Sequence, residues 1–223
     1  LKDYWAKDLA VNKGRHNFDF IRYDYYKDEI VTLEAFRAGE FDFRAENVAK
    51  QWATLYKGEN FDKKNIIKEE IPHEIPQAMQ ALIFNTQKEV FKDVRVREAL
   101  NYAMDFEWMN THLFYNQYTR TRSYFQNTEY EAKGMPSEQE IAFLEPVKDK
   151  IPPRVYTKEY HPPVTDGSGN IRPQMRIALS ILKKAGWQII DRKMTNIQTK
   201  KIMEFELLLY SPTMERIAIP IQD

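Results

Sequence analysis

The chain has 223 residues, with 33 Lys and Arg against 33 Asp and Glu, and no cysteine. That balance excludes a global field steering it onto nucleic acid or an anionic membrane, and the missing cysteines exclude disulfides, thiolate nucleophiles and Cys-based zinc sites. Hydrophobic residues at 43% and charged residues at 30% fit a well-solvated chain with a real core, and no apolar run is long enough to span a bilayer.

The opening, "LKDYWAKDLAVNKG", has neither an initiator Met nor the basic, apolar, small-residue order of a signal peptide. The chain is expected to be an internal piece of something longer. "FDFIRYDYY", from Phe18, alternates as a strand does. "EIVTLEAFRAGE" puts Ile30, Leu33 and Phe36 at helical spacing and ends at Gly39, suited to the left-handed position after a helix. "FDFRAE" reads as a second strand. Strand, helix, strand within about 30 residues predicts a crossover with parallel pairing, hence an α/β layer.

"NVAKQWATLY" predicts a helix capped by Asn47, and "QALIFN" a buried strand. From Asp93, a reasonable N-cap, Val96, Leu100, Ala103 and Met104 form an apolar stripe, with Arg95, Arg97, Glu98 and Asn101 outward. Tyr115 to Pro173 is poor in regular pattern, apart from a helix begun by a Ser137/Glu140 capping box. "PQMRIALSILKKAGW" predicts a helix with Ile177, Leu179, Ile181 and Leu182 inward and Gly186 as its stop. "FELLLY" reads as a last strand, followed by a Ser-Pro turn and an apolar helix carrying Met214, Ile217, Ala218 and Ile221.

Catalytic and cofactor signatures are missing: no phosphate loop, no G-x-S-x-G elbow, and no paired metal spacing among His16, His73, His112 and His161. No cofactor or metal is expected. "DGSGN", Asp166 to Asn170, imitates half a calcium loop, but Ile171 replaces the required glycine and Ile177 the bidentate Glu, so it reads as a turn. Glu69 and Glu70 read as a solvated face. "YTRTRSYF" is more informative. If extended, Arg120 and Arg122 point the same way, a geometry suited to a carboxylate or phosphate, while the flanking rings supply apolar walls. Ordinary ladders and intrachain salt bridges explain the same residues, and stacking on single-stranded nucleic acid is a third reading.

"FNTQKEVFKDVRVREALNYAMD", Phe84 to Asp105, resembles the extracellular solute-binding proteins of ABC transporters that include the peptide and nickel receptors. The motif is an "FN" segment followed by F-x-D-x-R-V-R-x-A-L, here Asn85, Phe91, Asp93, Arg95, Val96, Arg97, Ala99 and Leu100, and ending near Asp105. "FRAGEFDFRAE" is similar to the part preceding it. "DFEWMNTHLFYNQYTRTRSYFQNTEYEAKGMPSEQE" and "PPVTDGSGNIRPQMRIALSILKKAGW" are similar to the family's YejA-like oligopeptide-binding branch.

The resemblance implies part of a two-lobed type II periplasmic-binding fold. Residues 1–83 would be the C-terminal part of the first lobe with a crossing strand, and 84–223 the truncated N-terminal half of the second. It implies a periplasmic, non-enzymatic receptor that captures oligopeptides or peptide-like compounds in the interlobe cleft. It would deliver them to the ABC permease, with no nucleic acid and no membrane insertion. By position, Arg44, Glu46, Phe84, Asn85, Tyr118, Arg120, Arg122, Tyr124 and Phe125 would face the ligand, while Arg95 and Arg97 would anchor their helix on neighbouring acids or carbonyls. The readings from other classes are a peptide-processing hydrolase and a single-stranded nucleic-acid-binding module.

Overall fold

The computed structural model describes residues 3–15, 17–73, 75–76, 78–211 and 214–222. His16 and the Pro212–Thr213 part of the expected Ser-Pro turn lie outside the described residues. The chain divides into two compact units, Leu1–Asn47 with Lys57–Lys68, and Val48–Tyr56 with Glu69–Asp223.

In the first unit, helix α1 (Glu29–Arg37) starts where the Asp28 carboxylate accepts from the N–H groups of Ile30 and Val31, at 2.8 and 3.1 Å. This satisfies two of the donors that a helix start leaves orphaned. Leu33 is fully buried. The helix stops as expected at Gly39, whose φ of +82° is open to glycine at little cost. Phe36 and Tyr26 both pack against Phe41. A four-residue helix, α3 (Glu59–Asp62), is tied back by Asn60 Nδ2, which donates to the Arg37 carbonyl at 3.1 Å.

The second unit holds α2 (Ala49–Thr54), α4 (Glu89–Lys92), α5 (Val94–Tyr102), α6 (Phe106–His112), α7 (Glu138–Leu144), α8 (Arg172–Lys184), the strands β1 (Trp187–Ile190) and β2 (Lys193–Asn196), and α9 (Glu215–Gln222). One core joins α5 to α8 and β1 through Val96, Ala99, Ala178, Leu182 and Trp187. A second gathers Ala49, Met109 and Phe114, with Ile217 and Ile221 of α9 packed against them. Two predicted starts are present: Asp93 caps α5, and Ser137 with Glu140 forms the full capping box of α7. Arg95 and Arg97 act as anchors, Arg95 on Asp93 and the Lys184 carbonyl, Arg97 on the carbonyls of Phe91 and Lys92.

Several expectations are corrected. Among the described residues the sheet is β1 paired antiparallel with β2, plus a single bridge from Thr195 to Ile202, and no parallel crossover forms. "FDFIRYDYY", "FDFRAE", "QALIFN" and "FELLLY" form no strand among the described residues. Alternation favours an extended backbone, but a strand also needs a neighbouring backbone to bond with at about 4.8 Å, and among the described residues none pairs with them. Helix α2 begins one residue later than predicted, with Val48 rather than Asn47 at the cap and no side-chain cap bond. On α8 the inward face is Ala178, Leu182 and, partly, Ile181; Ile177 and Leu179 are 45% and 37% exposed. Positions 178 and 182 stack one turn apart, whereas 177 and 179 fall about 100° to either side.

Candidate functional site

The segment carrying both arginines follows α6. That helix is capped by Asp105, whose Oδ1 accepts from the Trp108 N–H at 3.0 Å. Beyond it Phe114 is buried, and Tyr115 and Asn116 both take left-handed φ values, +54° and +59°. A left-handed tyrosine costs about 1–2 kcal/mol. The turn is held by the Asn116 N–H, which donates to the Asn110 carbonyl at 2.8 Å, and by the Thr111 hydroxyl, which donates to Asn116 Oδ1 at 3.1 Å.

The reversal returns the chain alongside α6. There the Asn110 carboxamide takes both backbone groups of Tyr118: the Tyr118 N–H donates to Oδ1 at 3.1 Å, and Nδ2 donates to the Tyr118 carbonyl at 2.8 Å. One side chain thus does what a neighbouring strand would do. The Tyr118 ring lies on Phe114, centroids 4.5 Å apart, and Arg216 of α9 sits over Phe114 while donating to the Leu113 carbonyl.

The two arginines go to different places. Arg120 turns back against α5 and α6: Nη2 donates to Asn101 Oδ1 at 2.7 Å, Nη1 reaches Met104 Sδ at 3.2 Å, and the guanidinium lies 5.4 Å from the Phe106 ring centre. Burial pulls it below the usual arginine range, against the opposing influence of Tyr160 and Glu107. Arg122 instead meets Glu131, Nε to Oε1 at 3.4 Å. The Glu131 side chain is nearly buried and also accepts from the Asn127 N–H at 3.1 Å. Those contacts, the Asn127 bond foremost, hold its carboxyl below the usual range. Tyr124 and Phe125 are 79% and 59% exposed, with Tyr130 edge-on to Phe125.

The remaining predicted residues make their contacts elsewhere. Phe84 packs at a tilt against Phe91, which meets Phe205 edge-on. Asn85 shapes the turn into α4, its Oδ1 accepting from the Gln87 N–H and its carbonyl from Lys88. In the first unit Arg44 bridges Glu29 at 2.9 Å and Glu46 at 3.3 Å, with only 6% of the Arg44 and 2% of the Glu46 side chain exposed. Two contributors were missed in the sequence: Asn101, expected outward but half-buried on Arg120, and Asn110. Neither stands in a motif, and only the turn at Tyr115–Asn116 makes Asn110 a partner.

"DGSGN" is a turn, as read: Asp166 Oδ1 accepts from the Ser168 N–H and hydroxyl, at 3.0 and 2.6 Å. It docks on the start of α6, where the Thr165 N–H donates to Glu107 Oε2 at 2.9 Å and the Thr165 hydroxyl reaches Asp105. Among the described residues no group of three or more His, Asp or Glu is placed to hold a metal, and no helix is long and apolar enough to cross a membrane.

The sequence model of the bacterial extracellular solute-binding proteins, family 5, middle region, matches residues 2–223. The chain belongs to that family. Within it, the chain is 50% identical over 222 residues to YejA of Escherichia coli (strain K12), covering 100% of this chain and 37% of that protein. It is 37% identical to the probable peptide-binding protein YejA of Agrobacterium fabrum (strain C58 / ATCC 33970), over 98% of this chain and 36% of the relative. To the peptidoglycan-binding protein YepA of the same bacterium it is 33% identical, over 99% and 37%. The chain therefore spans little more than a third of the length of these relatives and is YejA-like within the family.

Proposed function

We propose that the protein is the substrate-binding receptor of an ABC importer, working in the periplasm. It captures oligopeptides or peptide-like compounds between the two lobes of a type II fold and hands them to the membrane permease. On this reading residues 1–83 finish the first lobe with a crossing strand, residues 84–223 begin the second, and the rest of a longer protein completes both. The receptor returns its ligand intact; it is not an enzyme.

The observation that carries the proposal is the braced segment from Tyr118 to Phe125. Asn110 holds the backbone of Tyr118 at its start, Gln126 Oε1 accepts from the Arg122 N–H and Ser123 Oγ from the Phe125 N–H further on, and the Tyr124 and Phe125 rings stand exposed. A segment held this way presents rings at little further cost in ordering, which is what a preformed ligand wall needs. Two relatives whose names specify peptide binding and peptidoglycan binding agree with a ligand built on a peptide. We assign Tyr118, Arg120, Arg122, Tyr124 and Phe125 to that wall and Phe84 and Asn85 to further ligand contacts of the second unit, and, taken by itself, the first unit is assigned Arg44 and Glu46 as its ligand contacts. The family favours neither a peptide hydrolase nor a nucleic-acid module.

The test is competition binding on the full-length protein with a fluorescent oligopeptide pool, for wild type and for Tyr124→Ala/Phe125→Ala. Specific binding that weakens about tenfold or more in the double variant is expected. Undiminished binding in that variant would remove the wall assignment, and no binding by wild type would remove the peptide.

A further inference from the structure

We infer that Arg120, and not Arg122, is the anion receptor of this site, so that the ligands the protein selects carry a carboxylate seated on the Arg120 guanidinium. The inference rests on the receptor reading above and names its ligand class.

A guanidinium taken out of water needs compensation: an opposite charge, or a full set of good acceptors. Arg120 is half-buried and has neither. Its contacts are a neutral amide oxygen on Asn101, the thioether of Met104, which is a weak acceptor, and the face of Phe106. Among the described residues no carboxylate lies within ion-pair distance of it. The acid that acts on it at longer range is Glu107, whose Oε2 is occupied by the N–H and hydroxyl of Thr165, at 2.9 and 3.0 Å. Two contacts engage the terminal nitrogens, and the guanidinium's other N–H groups remain available to a planar, two-oxygen anion.

Arg122 is the opposite case. It is about half-exposed, so water compensates it, and Glu131 already supplies the opposite charge, shared with Lys133. A ligand carboxylate reaching Arg122 would have to displace Glu131 or sit beside it, whereas at Arg120 it would supply the missing partner. Asn101 is the positioning residue, because its short bond fixes the guanidinium plane against Phe106. Its own amide nitrogen is anchored 3.5 Å from the Tyr160 hydroxyl.

A peptide carries a carboxylate at its C-terminus or on an acidic side chain, and one experiment separates the two. The full-length protein is equilibrated with an equimolar peptide mixture in which each sequence occurs as free acid and C-terminal amide, and with Glu or Gln at one position. The retained peptides are quantified by native mass spectrometry. Wild type is expected to retain one carboxylate-bearing form over its neutral partner by at least about tenfold. Free acid over amide identifies the terminus, and Glu over Gln the side chain. Arg120→Gln should level that ratio, Arg120→Lys keep part of it, and Asn101→Ala lower it without lowering Tm in proportion, whereas Arg122→Gln, in the same wall, should weaken charged and neutral forms alike and so change the affinity but not the ratio. Equal retention of charged and neutral forms by wild type overturns the inference while the peptide receptor stands. A ratio unchanged in Arg120→Gln or lost in Arg122→Gln overturns it too, and retention of no peptide removes the receptor reading with it.

Discussion

The side chain of Asn110 and the backbone of Tyr118 form a closed pair, with bonds of 3.1 and 2.8 Å in opposite directions. The pair spans the left-handed Tyr115–Asn116 turn and fixes where the chain returns at Tyr118. Asn110→Ala is expected to cost about 1–2 kcal/mol, from two net hydrogen bonds of about 0.5–1.5 kcal/mol each in a partly solvated setting. Asn110→Asp should recover only part of this, because a carboxylate can accept from the Tyr118 N–H but opposes the Tyr118 carbonyl. Urea denaturation of the three proteins at neutral pH checks the order.

Gly169 lies against Trp108. It has φ +79°, and a Cβ there would sit 3.2 Å from Trp108 Cδ1, on a rigid ring that cannot swing aside as a flexible chain end would. Gly169→Ala is therefore expected to destabilise by about 1–2 kcal/mol. It should also shift Trp108 fluorescence, whereas Gly134→Ala, at φ +70° with open space around it, should carry only the backbone cost.

Glu131 gives the loop behind Arg122 a pH dependence of definite sign. Its folded carboxyl titrates below the usual value near 4.5, because of the Asn127 N–H first and then Arg122 and Lys133. Its contribution is therefore fully present above the unfolded value and is lost as pH falls through the lowered folded one. Stability curves of wild type and Glu131→Gln should run apart at neutral pH and converge in acid. Curves that stay parallel across that window would contradict the assignment.

Leu182 joins α8 to α5 at the centre of the larger core and is 6% exposed. Leu182→Ala should cost about 2–5 kcal/mol, the transfer of the lost methyl groups plus the cavity they leave. Leu179→Ala, one turn-face away and 37% exposed, should cost far less. A chemical denaturation pair distinguishes the observed inward face from the one the sequence pattern suggests.

What was legible in the sequence is local, and what was not is pairing. Asp93, the Ser137/Glu140 box, Gly39 and Gly186 punctuate helices through contacts within four residues, and each stands where the chain predicts it. Arg95 and Arg97 anchor their helix because the nearby carbonyls and Asp93 are fixed by that same helix start. The alternating segments differ because alternation says nothing about which backbone will pair with them, and among the described residues none does. The site shows the same division. "YTRTRSYF" marks the segment, but that Arg120 turns onto Asn101 while Arg122 turns onto Glu131 depends on a reversal at two left-handed residues with no glycine to announce it.

The most direct test of the receptor account is calorimetric titration of the full-length protein with a mixed oligopeptide pool. Saturable heat at neutral pH, with the peptides recovered uncleaved afterwards, is the predicted result. Cleaved peptides, or no heat at protein and peptide concentrations that would reveal micromolar binding, would contradict it.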